Sequence, residues 1–149
     1  MESRPLSAGL RGPGEVTEGW RWVSVHLALN WHSRLVERFG GAPGVRDLGL
    51  LESALARPAN LVAYGDVVTT EKLAALYGVG VAKAHAFIDG NKRIAFAVTV
   101  SFLKAHGRHL DSTEEDALRI MLGVAGGDIK EDGLERWLVS HCRDDDPPR

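Results

Sequence analysis

The sequence predicts an all-α fold, and three observations support this. Apolar residues recur at three- and four-residue steps through most of the chain, which is the spacing of amphipathic helices. Candidate cap residues and glycine or proline breaks separate these segments at helix-like intervals. There is no convincing strand-like alternation and no internal repeat. With 149 residues, we expect one compact helical bundle around a central apolar helix, with a short flap.

The two ends of the chain differ in composition from its middle. Residues 1–19 are rich in glycine and poor in apolar side chains, which predicts a flexible N-terminal arm. Residues 143–149 are all aspartate, proline or arginine, which predicts a flexible tail. We therefore expect the helical domain to occupy residues 20–142.

Two helices are predicted in the first half of the domain. Ser24 can cap the first, which should end at Gly40 because glycine, a second glycine and a nearby proline follow one another there. Asp47 can cap the second, over residues 48–57, and Pro58 should stop it.

The flap and the central helix follow. Residues 59–69 give mixed signals and predict the irregular flap, after which Thr70 can cap a third helix. Residues 91–105 are apolar nearly all round, a pattern typical of a helix that is packed on every side. We expect this helix to be the central one.

Two further helices are predicted near the C-terminus. Ser112 and Glu115 have the spacing of a capping box, and the helix they begin should end at the glycine pair 126–127. Leu134 and Trp137 lie on the apolar face of a last helix.

Composition excludes several classes of function. The 18 basic and 20 acidic residues nearly cancel, so no overall field favours nucleic acid or an anionic membrane as a direct partner. Cys142 is the only cysteine, which excludes an intrachain disulfide and a thiolate metal cluster. No apolar run is long enough to cross a bilayer, and no signal peptide is evident. We expect a cytoplasmic protein.

Residues 85–93, with the sequence HAFIDGNKR, combine many polar side chains just before the most apolar helix. The first N–H groups of a helix lack intrahelical acceptors and lie at the positive end of its dipole, so they can bind phosphate. Gly90 allows close backbone approach, and Asn91 can cap the helix or donate to a phosphate. Lys92 and Arg93 add positive charge, with Arg93 able to bind two phosphate oxygens.

Two residues of the same segment have the chemistry for metal binding and proton transfer. Asp89 can hold Mg²⁺ that bridges phosphates, and His85 can take a proton from an attacking hydroxyl at neutral pH. The simpler interpretation is a capped, solvated helix start in which Asp89 pairs with Arg93. That interpretation does not require histidine, asparagine and two cations together.

The segment resembles the core motif of the Fic/Doc family, His-x-Phe-x-Asp/Glu-Gly/Ala-Asn. Glycine and arginine follow this motif in the nucleotidyl-transferring Fic branch, and lysine and arginine follow it in the Doc branch. Lys92 and Arg93 give this chain the Doc form. Residues 40–47, 50–58 and 64–65 also resemble the family pattern, and the likeness extends over residues 22–141.

The resemblance implies a role for each residue of the motif. His85 would be the catalytic base, and Asp89 would bind Mg²⁺. Asn91, Lys92 and Arg93 would bind the phosphates of ATP. Lys83 lies where relatives often carry arginine and would add charge to the site.

By resemblance, the chain is a toxin of a toxin–antitoxin system that transfers the γ-phosphate of ATP to a hydroxyl of elongation factor Tu, and so blocks translation. Its partner would be a Phd-type antitoxin. The alternatives are Fic-type AMP transfer and a catalytically silent, partner-binding module. Phe96 stands where the Fic branch ends its motif with arginine, which argues against AMP transfer, and Ala86 replaces a common proline.

The remaining histidines and the tryptophans have simpler interpretations. His26 and His32 fall on different faces of one helix, and His106 and His109 flank a turn, so neither pair has good metal-binding geometry. We expect all four to be core or surface residues. The tryptophans are expected in the core or at its edge.

Overall fold

The computed structural model describes residues 16–17, 19–65 and 67–145, and its helical content confirms the all-α class. Six helices occur in these residues: α1 (Val25–Phe39), α2 (Leu48–Ala63), α3 (Thr70–Ala84), α4 (Asn91–Ala105), α5 (Glu114–Gly126) and α6 (Glu131–His141). None of the helices described there is long and apolar enough to cross a membrane.

In the same described residues, short strands that the sequence did not predict form two antiparallel pairs. They are β1 (Val16–Thr17), β2 (Trp20–Arg21), β3 (Arg108–Leu110) and β4 (Cys142–Asp144). β1 pairs with β2, and β3 pairs with β4. Two or three residues are too few to show alternation, which is why the sequence gave no signal.

These strands bear on the two predicted flexible ends. β1 lies inside the predicted arm, and β4 extends into the predicted tail through Asp144, which pairs with Arg108. Backbone pairing therefore continues beyond both predicted boundaries. Residues 1–15 and 18 of the arm and 146–149 of the tail lie outside the described residues.

Side-chain caps begin α1 and α2 as predicted. The Ser24 hydroxyl accepts a hydrogen bond from the backbone N–H of Leu27, at 3.1 Å, and Asp47 accepts from that of Leu50, also at 3.1 Å. Each contact satisfies one N–H group that has no acceptor inside its helix. The predicted starts of both helices are confirmed.

Two other caps lie one residue away from the predicted ones. Thr69, rather than Thr70, caps α3, and Thr113, rather than Ser112, caps α5 by accepting from the backbone N–H of Asp116. In each case two hydroxyl residues are adjacent, and the one with extended backbone directly before the helix accepts from the N–H three residues later. The hydroxyl of Ser112 donates instead to the Thr113 carbonyl, so the predicted capping box is wrong.

Pro58 does not stop α2, contrary to the prediction. The helix continues to Ala63, with Pro58 inside it and buried beside Leu51, Ala54 and Leu55. A proline in a helix costs one backbone hydrogen bond, but burial of its ring on the apolar face offsets that loss here. The predicted flap is therefore shortened at its start by the last turn of α2.

The most deeply packed helix is α3, not the predicted α4. Helix α3 contacts α2, α4, α5 and α6, and its buried face includes Leu73, Tyr77 and Val81. Helix α4 buries its own apolar side but exposes Lys92 at its start. The prediction of α4 as the central helix was wrong because α3 is rich in alanine and glycine. Their small side chains allow close packing without a strong apolar pattern in the sequence.

Close packing around α3 leads to a test with a matched pair of glycines. A Cβ at Gly78 would lie 2.6 Å from the Thr99 hydroxyl and 2.9 Å from a Leu134 methyl, whereas one at Gly80 would meet Ala54 at an ordinary 3.6 Å. We expect Gly78→Ala to lower the free energy of unfolding by about 1–3 kcal/mol through overpacking. Gly80→Ala should be neutral or raise it by up to about 1 kcal/mol, because alanine favours the helix. Urea denaturation of both variants measures the difference, and equal effects would contradict this packing.

Candidate active site

The segment between α3 and α4 begins with an unusual backbone conformation at His85. This residue ends α3 with φ 49° and ψ 43°, in the left-handed region. Among the described residues it is the one non-glycine with positive φ. Such a conformation costs about 1–2 kcal/mol for an L-residue, so the surrounding contacts must hold it. The His85 side chain itself is exposed.

A strap of chain between α1 and α2, residues 40–47, lies against this segment. The backbone N–H of Arg46 donates to the Ala86 carbonyl at 2.7 Å, and that of Ile88 donates to the Gly44 carbonyl at 3.1 Å. These bonds run across the two segments like a fragment of antiparallel sheet. The loop therefore has fixed backbone partners, although it belongs to no regular element.

Phe87 anchors the loop to the core. Its ring is 2% exposed and stacks on the ring of His32 with centroids 3.8 Å apart. The side-chain amide of Asn91 accepts from the Phe87 N–H and donates to the Phe87 carbonyl, both at 3.0 Å. A ring nitrogen of His32 lies 2.7 Å from the Asp89 carbonyl oxygen. Side chains of both α1 and α4 thus hold the loop.

The carboxylate of Asp89 is held by backbone N–H groups. One oxygen accepts from Gly90 at 2.9 Å, and the other accepts from Ala42 of the strap at 3.1 Å. The hydrogen bonds from Ala42 and Gly90 lower the pKa of Asp89, with a smaller contribution from Arg93. A side chain at Gly41 would come within 2.9 Å of the carboxylate, so glycine is required at this close approach.

The N-terminus of α4 is open to a ligand. Gly90 precedes the helix in a left-handed conformation, and no described side chain caps the first turn. The N–H groups of Asn91, Lys92 and Arg93 therefore lack intrahelical acceptors. Both basic side chains are exposed, and the Arg93 guanidinium lies 4.6 Å from the centroid of the Phe39 ring.

A cleft of about 520 Å³ opens at this helix start. One wall is polar and consists of the loop and the first turn of α4; the other is mainly apolar and comes from α4 and α5. The lining residues are Asp89, Gly90, Asn91, Lys92, Arg93, Phe96, Glu114, Ala117, Leu118 and Met121. The cleft can therefore take a ligand with an anionic part and an apolar part.

The structure brings most, but not all, of the predicted site residues together. Asp89, Gly90 and the first three residues of α4 share the cleft, whereas His85 begins the same loop but does not line the cleft. Lys83 does not line the cleft, and its ammonium lies near Gly127 at the end of α5. The Asn91 amide is bonded to Phe87, so Asn91 can reach a phosphate through its backbone N–H.

Sequence reasoning missed two residues that shape the loop. His32 was interpreted only as a core or surface histidine, and it is indeed 4% exposed, but it also contacts Asp89 and Phe87. Arg46 was part of the family-like pattern without an assigned role, and its guanidinium binds the His85 carbonyl. Sequence offers no signal for contacts across 57 and 39 positions. Within the described residues no group of three or more potential ligands could hold a metal by itself.

Comparison with known proteins adds to this geometry. The model of the Fic/DOC family matches residues 22–103, more than half of the chain. The chain belongs to the Fic/Doc family. It is 32% identical over 109 residues to the protein kinase doc of Escherichia phage P1, covering 73% of this chain and 86% of that protein. It is 40% identical over 105 residues to Toxin Doc of Mycolicibacterium smegmatis, covering 68% and 80% of the two chains. These likenesses and the Lys92–Arg93 pair place it in the Doc branch.

The contacts of Asp89 predict a pH-dependent contribution to stability. Its pKa is lowered in the folded chain, so the contribution is present above the ordinary aspartate pKa of about 3.9 and is lost as pH falls through the lowered value. Asp89→Asn should therefore reduce the melting temperature at pH 7, with a gap to the unaltered chain that narrows in acid. Thermal unfolding from pH 7 to 3 measures this. The exposed Asp145→Asn is the control, and a gap independent of pH would contradict the prediction.

Proposed function

We propose that this chain is a Doc-type toxin that transfers the γ-phosphate of ATP to a hydroxyl group of a protein. The two relatives described above are named a protein kinase and a toxin. The observation that carries the proposal is Lys92, which lines the cleft at the uncapped start of α4. In the Fic branch a glycine occupies this place in the motif.

The cleft supports a particular way of binding ATP. Its phosphates would lie against the N–H groups of the first turn of α4, next to Lys92 and Arg93. The apolar wall, with Phe96, Leu118 and Met121, offers a surface for the adenine base. In this orientation the terminal phosphate would be directed toward the loop that carries His85.

Asp89 fits the requirements of Mg²⁺ in this site. Its lowered pKa keeps it ionised at neutral pH, and a carboxylate oxygen that accepts one hydrogen bond retains a further lone pair. Mg²⁺ usually takes one or two carboxylates and completes its coordination with phosphate oxygens and water. When bound, the ion would supply charge that neutralises the phosphates.

The proposed reaction uses His85 as general base. The imidazole accepts the proton of the target hydroxyl, the hydroxyl oxygen forms a bond to the γ-phosphorus, and the bond from that phosphorus to the β–γ bridging oxygen breaks to release ADP. Lys92 and Arg93 stabilise the phosphate charge. By resemblance, the target is elongation factor Tu, and its modification blocks translation.

The sequence suggests that the proposed activity is restrained by a separate protein. Many Fic proteins restrain themselves through a Ser/Thr-x-x-x-Glu-Gly/Asn segment whose glutamate pairs with the final arginine of the motif. In this chain Ser33 and Glu37 have that spacing, but Arg38 follows them, and Phe96 cannot form the ion pair. We propose a Phd-type antitoxin that folds as an amphipathic helix in an apolar groove near the flap.

Two alternatives predict different outcomes. Fic-type AMP transfer would place the α-phosphate next to the hydroxyl, and Phe96 argues against it because no arginine is available at that position. A catalytically silent module would bind a partner and transfer no part of ATP. The exposed His85 and the ionised Asp89 favour an active site over silence.

The role of His85 predicts the effect of its removal. His85→Ala should reduce transfer by roughly 100-fold or more, the usual range for loss of a general base, and relieve growth arrest on expression without an antitoxin. The measurement is incorporation of labelled phosphate, with thermal unfolding to verify that the variant folds. Unchanged transfer by the folded variant would exclude His85 from the reaction.

The position of Lys92 predicts which phosphate is transferred. With γ-labelled or α-labelled ATP and elongation factor Tu or cell lysate, we expect only the γ-label to appear on protein. Lys92→Gly should reduce this transfer sharply, because it removes a charged contact to phosphate and the side chain that disfavours the Fic-type orientation. The control is Lys104→Ala, which removes a lysine from the last turn of the same helix, away from the cleft. Transfer of the α-label by the unaltered chain would favour the nucleotidyl-transfer alternative.

A further inference from the structure

We propose that Arg46 is a positioning residue that holds His85 in the orientation required to accept a proton, an inference that rests on the proposed function. The role concerns the backbone that carries the imidazole and requires no contact between Arg46 and ATP. Arg46 belongs to the strap, so the proposal assigns the strap a part in the reaction.

The contact is specific to an arginine side chain. The Arg46 Nε donates to the His85 carbonyl oxygen at 2.8 Å, and Nη2 of the same guanidinium donates to the same oxygen. Two N–H groups of one planar group therefore converge on a single acceptor. Lysine has a single flexible ammonium and cannot reproduce this fork.

The backbone of Arg46 binds the next residue of the same loop. Its N–H donates to the Ala86 carbonyl at 2.7 Å, and the N–H of Asp47 donates to that oxygen at 3.0 Å. The carbonyls of His85 and Ala86 are thus fixed in succession by the strap. Rotation of the His85 backbone out of its left-handed conformation would break the guanidinium contacts.

Because Arg46 is exposed, an effect of its removal on the position of His85 can be distinguished from an effect on core packing. Arg46 and His85 are both exposed, so removal of the guanidinium leaves no cavity in the core. Without the two guanidinium donors, the hydrogen bonds that offset the energetic cost of the left-handed conformation at His85 would be lost. We expect the loop to remain attached through Phe87 while His85 populates other backbone conformations.

A kinetic experiment tests the role in transfer of γ-label to elongation factor Tu. Arg46→Ala should lower kcat by about 10- to 100-fold, the scale of a misplaced reacting group, and leave KM for ATP and for the target unchanged. Arg46→Lys should give a smaller loss, and millimolar guanidinium should partly restore Arg46→Ala. Arg119→Ala removes an exposed arginine that pairs with Asp116 and should retain full kcat.

A second measurement does not depend on activity. In NMR spectra of labelled protein, a strong amide–Hα contact within His85 reports its positive φ, and this contact should weaken in Arg46→Ala but persist in Arg119→Ala. Transfer of neither label by the unaltered chain would contradict the proposed function alone, and the NMR result would still decide the role of Arg46. Unchanged kcat in Arg46→Ala overturns the proposal, as does a raised KM for the target with kcat intact. A His85 that keeps its positive φ in that variant also overturns it.

Discussion

The arrangement of the site depends on the way in which Asn91 binds Phe87. Both polar groups of the Phe87 backbone are bonded by one side-chain amide, while the Phe87 ring is buried against His32. A buried backbone N–H or carbonyl without a partner is costly, so this double contact allows a loop to pass through the edge of the core. It also fixes the start of α4 relative to the end of α3.

This constraint divides the motif into residues that build the loop and residues that face solvent. Phe87 and Asn91 direct their side chains inward and are occupied by structural contacts. His85, Lys92 and Arg93 remain exposed on either side of them. The groups proposed to act on a ligand thus have a rigid support, which favours preorganised electrostatics over rearrangement on binding.

Sequence could predict the parts of this fold that depend on neighbouring residues. The caps of α1 and α2 and the bounds of α4 follow from local hydrogen-bonding rules, and the clustering of Asp89 with Lys92 follows from their closeness in the motif. Prediction from sequence failed where tertiary packing overrides the local preference of a residue. Pro58 is accommodated because its ring is buried, and α3 is central because small residues let its neighbours approach.

The contacts of the site that span the chain lay beyond prediction for a different reason. His32 and Arg46 act on the loop from α1 and from the strap, and each has an ordinary surface or core interpretation in its own sequence context. Their roles appear only when the segments are adjacent in space. Lys83, by contrast, is close to the motif in sequence but lies toward the end of α5.

The left-handed backbone at His85 sets stability against the proposed catalytic role of the same residue. At the end of a helix, glycine adopts this conformation at the lowest energetic cost, because glycine has no Cβ to crowd the following carbonyl. Selection of variants for stability alone would therefore favour glycine at this position and remove the imidazole. A histidine at this costly position fits its proposed role as general base, and consensus-based or automated stabilisation of this chain should leave it untouched.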